Sequence, residues 1–235
     1  LAPQIKVAGT FIFVVAVAIT PREAFAAFAV HGLIIVAVAG LARVPPRFLL
    51  VRLLGILPFI LFAFFLPFLG SGDEVTFWGL SLSQEGLLAA WNIVAKATLG
   101  ASASILLVAT TEVPAILRGL STLRVPTLLV SVTGFMVRYL ELIVEELGRM
   151  RVAMVSRGHD ARWLWQVRPI ATGAGAMFIR SYERGERVHQ AMVSRGFTGV
   201  MPTLEDTRAQ ASTWVAGLAV PGIALLAALT AVVMS

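Results

Sequence analysis

The chain has 235 residues, 58% of them apolar and only 14% charged, and it contains no cysteine. A soluble domain usually carries about 25% charged residues, so this chain has too little charged surface to cover itself in water and reads as a membrane protein. The missing cysteines exclude disulfides, thiolate metal sites and cysteine nucleophiles, and His31, His159 and His189 are too scattered for an imidazole-rich metal site. The net charge of +6 would suggest nucleic acid in a soluble protein, but in a membrane protein arginine excess marks cytoplasmic loops.

The expected fold is all-α and polytopic, with about five transmembrane helices and long amphipathic cytoplasmic helices. A span needs about 20 mainly apolar residues, and five stretches meet or approach that length: Val7 to Ile19, Ala24 to Ala42, Phe48 to Leu69, Leu87 to Ala109 and Thr213 to Met234. No basic leader with a small-residue cleavage site precedes the first. That span starts so near Leu1 that further N-terminal residues are expected ahead of it. Pro58 and Pro67 interrupt the third span and should kink it, while Pro221 and Gly222 loosen the last.

Loop charges orient these spans. Arg43, Arg47 and Arg52 place the connection between spans two and three inside. Gly70 to Gly86 carries Asp73, Glu74 and Glu85 with no basic residue, which places it outside. Glu112 to Arg208 holds 13 arginines and nine acids and belongs in the cytoplasm, as does the N-terminus, with Ser235 outside. The expected division is therefore 1–111 transmembrane, 112–208 cytoplasmic and 209–235 a final span.

Within the polar section, a short amphipathic piece, Val113 to Leu120, precedes Pro126. From Thr127 to Arg157, Leu128, Val132, Met136, Tyr139, Ile143, Leu147, Met150 and Met154 recur at steps of four and three, an apolar stripe along one helix. Arg138 with Glu141, and Glu145 with Arg149, are spaced to pair along a turn. At about 1.5 Å per residue this rod is roughly 46 Å long. A second rod runs from about Ile170 to Arg195, with Pro169 suited to its first turn.

The two rods end alike. A shift of 38 residues lays Glu145 to Gly158 on Glu183 to Gly196 with eight of 14 positions identical, and Ala-Met-Val-Ser-Arg-Gly occurs at 153–158 and again at 191–196. Glu145 and Arg149 match Glu183 and Arg187. Helix capping accounts for a glycine and a basic residue at one such end, but it does not require the same six letters twice. Two identical cationic ends on one asymmetric chain suit a partner that presents the same groove twice, as a two-fold homodimer does. Arginine suits this role because its planar fork holds a carboxylate in two hydrogen bonds.

These paired Ser-Arg-Gly ends resemble the Ala-Arg-Gly motifs of the transmembrane T component (CbiQ/EcfT) of energy-coupling-factor transporters, with serine at 156 and 194 where alanine is commoner. The stretch Ser181-Tyr-Glu-Arg-Gly-Glu-Arg-Val-His-Gln190 and onward to Gly199 is most similar to the cobalt branch, CbiQ. Thr110, Thr111 and Pro114 and the spans before them fit the same family over nearly the whole chain.

The resemblance implies a non-catalytic scaffold in a bacterial or archaeal cell membrane. Ser156, Arg157, Gly158, Ser194, Arg195 and Gly196 would dock a CbiO-like ATPase dimer, supported by the pairs Glu145 with Arg149 and Glu183 with Arg187. The apolar stripe would grip a CbiM-like substrate subunit, with a small CbiN-like accessory subunit. ATP and magnesium would belong to the ATPase and the transported ion to the substrate subunit, so this chain would hold no cofactor or metal.

Other features bear on alternatives. No Gly-x-x-x-x-Gly-Lys-[Ser/Thr] motif occurs, and the only lysines are Lys6 and Lys96, so the chain supplies no P-loop. Gly173-Ala174-Gly175 follows a proline-led helix instead of a strand and is not a dinucleotide loop. Lys96 and Asn92, inside span four, read first as interhelical hydrogen bonding or snorkelling and second as an ion path. Ala97, Gly100, Ala101 and Ser104 would let a neighbouring helix approach. His31 reads as a satisfied bundle residue before a ligand. Trp163 and Trp165 mark either the membrane surface or a partner contact. The same architecture carrying a vitamin or nickel, or an independent channel or secondary carrier built on Lys96, Asn92 and His31, are the other readings.

Overall fold

The computed structural model describes residues 1–69, 74–77, 80–158, 168–199 and 210–234. The calls on His159, Trp163 and Trp165 lie outside the described residues. Helices α1 (Pro3–Ile19) and α2 (Phe25–Leu41) are followed by α3 (Pro46–Leu53), a 3-10 turn at Leu54–Ile56 and α4 (Leu57–Leu69). Then come α5 (Gln84–Thr110), α6 (Val113–Thr122), α7 (Thr127–Ser156), α8 (Arg168–Val193) and α9 (Ala211–Met234).

Prolines set several of these boundaries. They stand in the first turns of α1, α3 and α6, where the missing N–H would have no intrahelical partner anyway. The interruption expected at Pro58 is the 3-10 turn just before it, after which α4 restarts with Pro58 in its first turn. Pro67 and Pro221 are accommodated inside α4 and α9. The acidic connection carries a short antiparallel hairpin, β1 (Glu74–Phe77) with β2 (Leu80–Ser83), Glu74 facing Ser83 and Phe77 facing Leu80. Apolar residues at 75, 77, 80 and 82 already alternate there, the two-residue period of a strand.

The described residues form two compact units, one of 1–123 and 210–234 and the other of 124–158 and 168–199. In the first, α1 lies along α9 and also packs on α5 and α6, α2 packs on α9 and α5, and α4 packs on α5. Its core joins Phe13, Ala16, Val17, Ile35, Ala103, Leu106, Ala224 and Ala228. Apolar side chains gain nothing by leaving lipid, so spans associate through close packing of small residues. The α1–α9 seam follows that rule: a side chain at Gly217 would run into Ile5, and one at Gly9 would touch Pro221. The large residues Phe59, Leu61, Phe62 and Phe64 of α4 point outward instead, as lipid-facing residues do. The expected amphipathic piece at 113–120 is α6, and it packs on α1, with Gly119 against the backbone of Gln4.

Among the described residues, four helical stretches are long and apolar enough to cross a membrane: Pro46–Phe68, α5, α7 and α9. Helices α1 and α2 are apolar but have 17 residues each. The presence of α7 among the four puts an apolar stretch inside the section 112–208 that loop charge assigns to the cytoplasm. Its charges gather in the second half, and 127–144 contains only Arg138 and Glu141. None of that apolar stretch is buried within the chain.

Candidate functional site

The second unit holds both repeated ends. In each, the glycine takes a left-handed backbone conformation, φ 78° at Gly158 and 82° at Gly196. The Gly196 N–H donates to Val193 O and the Phe197 N–H to Met192 O, both at 3.0 Å. That bond pair is a Schellman C-cap, with Arg195 in the last half-helical position and glycine just beyond it. The first end repeats the inner bond, from Gly158 N–H to Val155 O at 2.9 Å, with Arg157 in the same position. The glycines are therefore there for the turn, and the turn places each arginine at a free helix end.

Arg157 and Arg195 are exposed, and neither has an ion-pair partner among the described residues. The serines beside them bond back into their own helices, Ser156 Oγ to Val152 O at 2.9 Å and Ser194 Oγ to Ala191 O at 3.0 Å. About two to three turns before each end lies the matched ion pair, Arg149 with Glu145 at 3.6 Å and Arg187 with Glu183 at 3.9 Å. All four of these side chains are more than half exposed, so each pair contributes only about 0.3–0.5 kcal/mol to its helix. Arg138 and Glu141, three apart on α7, form no ion pair among the described residues, and Arg138 is exposed.

A residue absent from the sequence reading sits between the two helices. Glu146, 7% exposed, is the buried residue of α7. Its Oε2 accepts from Arg184 Nη2 at 3.2 Å and its Oε1 from Arg180 Nη1 at 3.3 Å. Periodicity puts Leu147 on the apolar stripe with Ile143 and Met150; Leu147 is 48% exposed, and Glu146 points inward beside the other two. An arginine pair one turn apart on α8 was the signal that could have found it. Gly173 and Gly175 are helical residues of α8, and Gly173 lies beside Met150.

In the first unit, both lysines serve helix ends. Lys96 Nζ on α5 donates to Ala18 O at the end of α1, 2.8 Å away. Lys6 Nζ on α1 donates to Thr110 O at the end of α5, also 2.8 Å, and to Thr111 Oγ1 at 3.3 Å. Each cation thus satisfies carbonyls that have no intrahelical donor and sits at the negative end of a helix dipole. His31 is fully buried, its Nε2 donating to Ala224 O at 3.1 Å with its ring edge-on to Phe13. Asn92 Oδ1 is buried without a donor among the described residues. These contacts take Lys96 to α1 and His31 to α9, and none of them joins the three side chains into a path.

The profile of the CbiQ family, described as cobalt transport protein, matches residues 1–205. The chain belongs to the CbiQ family. Along 183 residues it is 31% identical to the cobalt transport protein CbiQ of Rhodobacter capsulatus, an alignment covering 75% of this chain and 70% of that one. It is also 27% identical over 125 residues to an uncharacterized protein of Methanocaldococcus jannaschii, covering 51% of this chain and 41% of that relative. The family match over residues 1–205 contains both arginine ends, the Glu146 bridge and both lysine caps. Membership of this transport family agrees with the run of apolar helices, and the chain is a membrane protein.

Proposed function

We propose that this chain is the membrane scaffold of an energy-coupling-factor importer for cobalt. Each exposed arginine end enters a groove on one subunit of an ATPase dimer. The closure that ATP drives in that dimer passes through α7 and α8 to a separate substrate-binding membrane subunit. The observation that carries this reading is the duplication itself: one six-residue sequence, used twice, ends its helix on a left-handed glycine with the same inner bond and each time leaves a guanidinium with no ion-pair partner among the described residues. The apolar first half of α7, with Leu128 72% and Met136 65% exposed, needs apolar surroundings, which a substrate subunit and acyl chains both supply. In this reading the arginine ends face the cytoplasm, ATP and magnesium stay on the ATPase, and the ion is cargo of the substrate subunit. Cobalt as cargo rests on the family and on the Rhodobacter relative.

The test is co-purification with the ATPase and ATP-dependent uptake, comparing the unaltered chain with Arg157→Glu, Arg195→Glu and the double change. The double change should abolish uptake and weaken the complex while the chain still inserts. Unchanged assembly and uptake in the double variant would defeat the docking role. Labelled cobalt, offered against nickel and vitamins, decides the cargo, and uptake without any ATPase would point to an independent carrier.

A further inference from the structure

Helices α7 and α8 meet through side chains, with little backbone contact. They do so with the same face of the repeat. From Tyr139 onward the shielded positions of α7 include Tyr139, Ile143, Glu146, Met150 and Met154, and those of α8 include Met177, Ser181, Arg184, Val188 and Met192. Each of the second set stands 38 residues after its counterpart in the first, the offset that lays one arginine end on the other. Leu142, the other shielded residue of this part of α7, is the counterpart of Arg180.

At the middle of both sets stand Glu146 and Arg184, which are each other's counterpart (184 − 146 = 38) and are bonded across the crossing. A residue paired with its own repeat counterpart marks the approximate two-fold axis relating two copies. Both arginine ends then lie equally far from it, since 157 − 146 = 11 and 195 − 184 = 11, an arm of about 16 Å at 1.5 Å per residue. The neighbouring contacts are ill-suited to hold such a register. Met150, Met154, Met177 and Met192 are flexible side chains that repack easily, whereas a shielded charged pair is the kind of contact that sets register between helices.

We infer that the Glu146–Arg184 pair, supported by Arg180, is the pivot that fixes where the two helices cross and keeps both arms to the arginine ends equal in length. Glu146 and Arg184 are positioning residues that act through the ends and need touch neither ATPase nor cargo. A slip of one helical turn would lengthen one arm by about 5.4 Å and present a two-fold partner with unequal prongs. The function of the pivot rests on the docking reading, but its existence does not.

The chain has no cysteine, so Val152→Cys with Gln190→Cys adds one pair of spin-label sites at exposed repeat counterparts. In the full-length chain the distance distribution should be narrow. Glu146→Gln and Arg184→Gln should each broaden it toward a spread of about one helical turn, 5.4 Å, and the exchange Glu146→Arg with Arg184→Glu should narrow it again. An equally narrow distribution in both single variants, or no recovery in the exchange, would overturn the pivot. Arg180→Gln, altering the more exposed partner, should broaden the distribution less than Arg184→Gln, and the reverse order would also count against it. In uptake assays Glu146→Gln should keep its ATPase yet lose transport, with transport restored by the exchange. Failure of the unaltered chain to retain an ATPase would sink the docking reading alone, because the distances still decide the crossing.

Discussion

Arg157 and Arg195 owe their position to a glycine each. With φ near +80° at Gly158 and Gly196, any side chain is strained there, so Gly196→Ala should cost about 1–2 kcal/mol locally. The expected result is fraying of the α8 end, seen as faster amide exchange at Ser194 to Phe197, with the rest of α8 unaffected. Arg157→Lys and Arg195→Lys keep the charge but lose the planar fork. Both should weaken ATPase retention, and retention equal to the unaltered chain would show that a point charge suffices.

Among the elements, α1 and α5 cap one another through Lys6 and Lys96. Replacing either lysine by Met keeps the stem and removes the donor, leaving carbonyls of a helix end unsatisfied. Each change should destabilise the first unit by about 1–3 kcal/mol, read as lower resistance to unfolding in detergent. Uptake should survive in proportion to the folded protein, whereas loss of uptake by a fully folded Lys96→Met variant would favour the ion path. The α1–α9 seam is equally specific. Gly217→Val places methyl groups where Ile5 already sits, and overpacking of this kind costs about 1–3 kcal/mol. Ile5→Ala in the same chain should recover part of that loss, because it reopens the space.

The molecule as a whole is a set of apolar helices carrying one duplicated polar device. The amino-acid pattern by itself determined the membrane class, the apolar helices, the two arginine ends and their flanking ion pairs. These are local properties: hydropathy over about 20 residues, i to i+4 spacing, and a glycine after a basic last turn. Even the strand pair 74–77 and 80–83 is legible as alternation inside the acidic connection. Only the tertiary structure decided that Glu146 turns inward, that Arg138 and Glu141 stay apart, that the two lysines exchange helix ends and that His31 bonds to α9. The contacts of Glu146, the two lysines and His31 each reach a partner 34 to 193 residues away, and the angle at which two helices cross chooses that partner. Periodicity names the face of a helix, but it does not say which neighbour meets it, and a carboxylate on an apolar face is read as misplaced until two guanidiniums from another helix are seen to reach it.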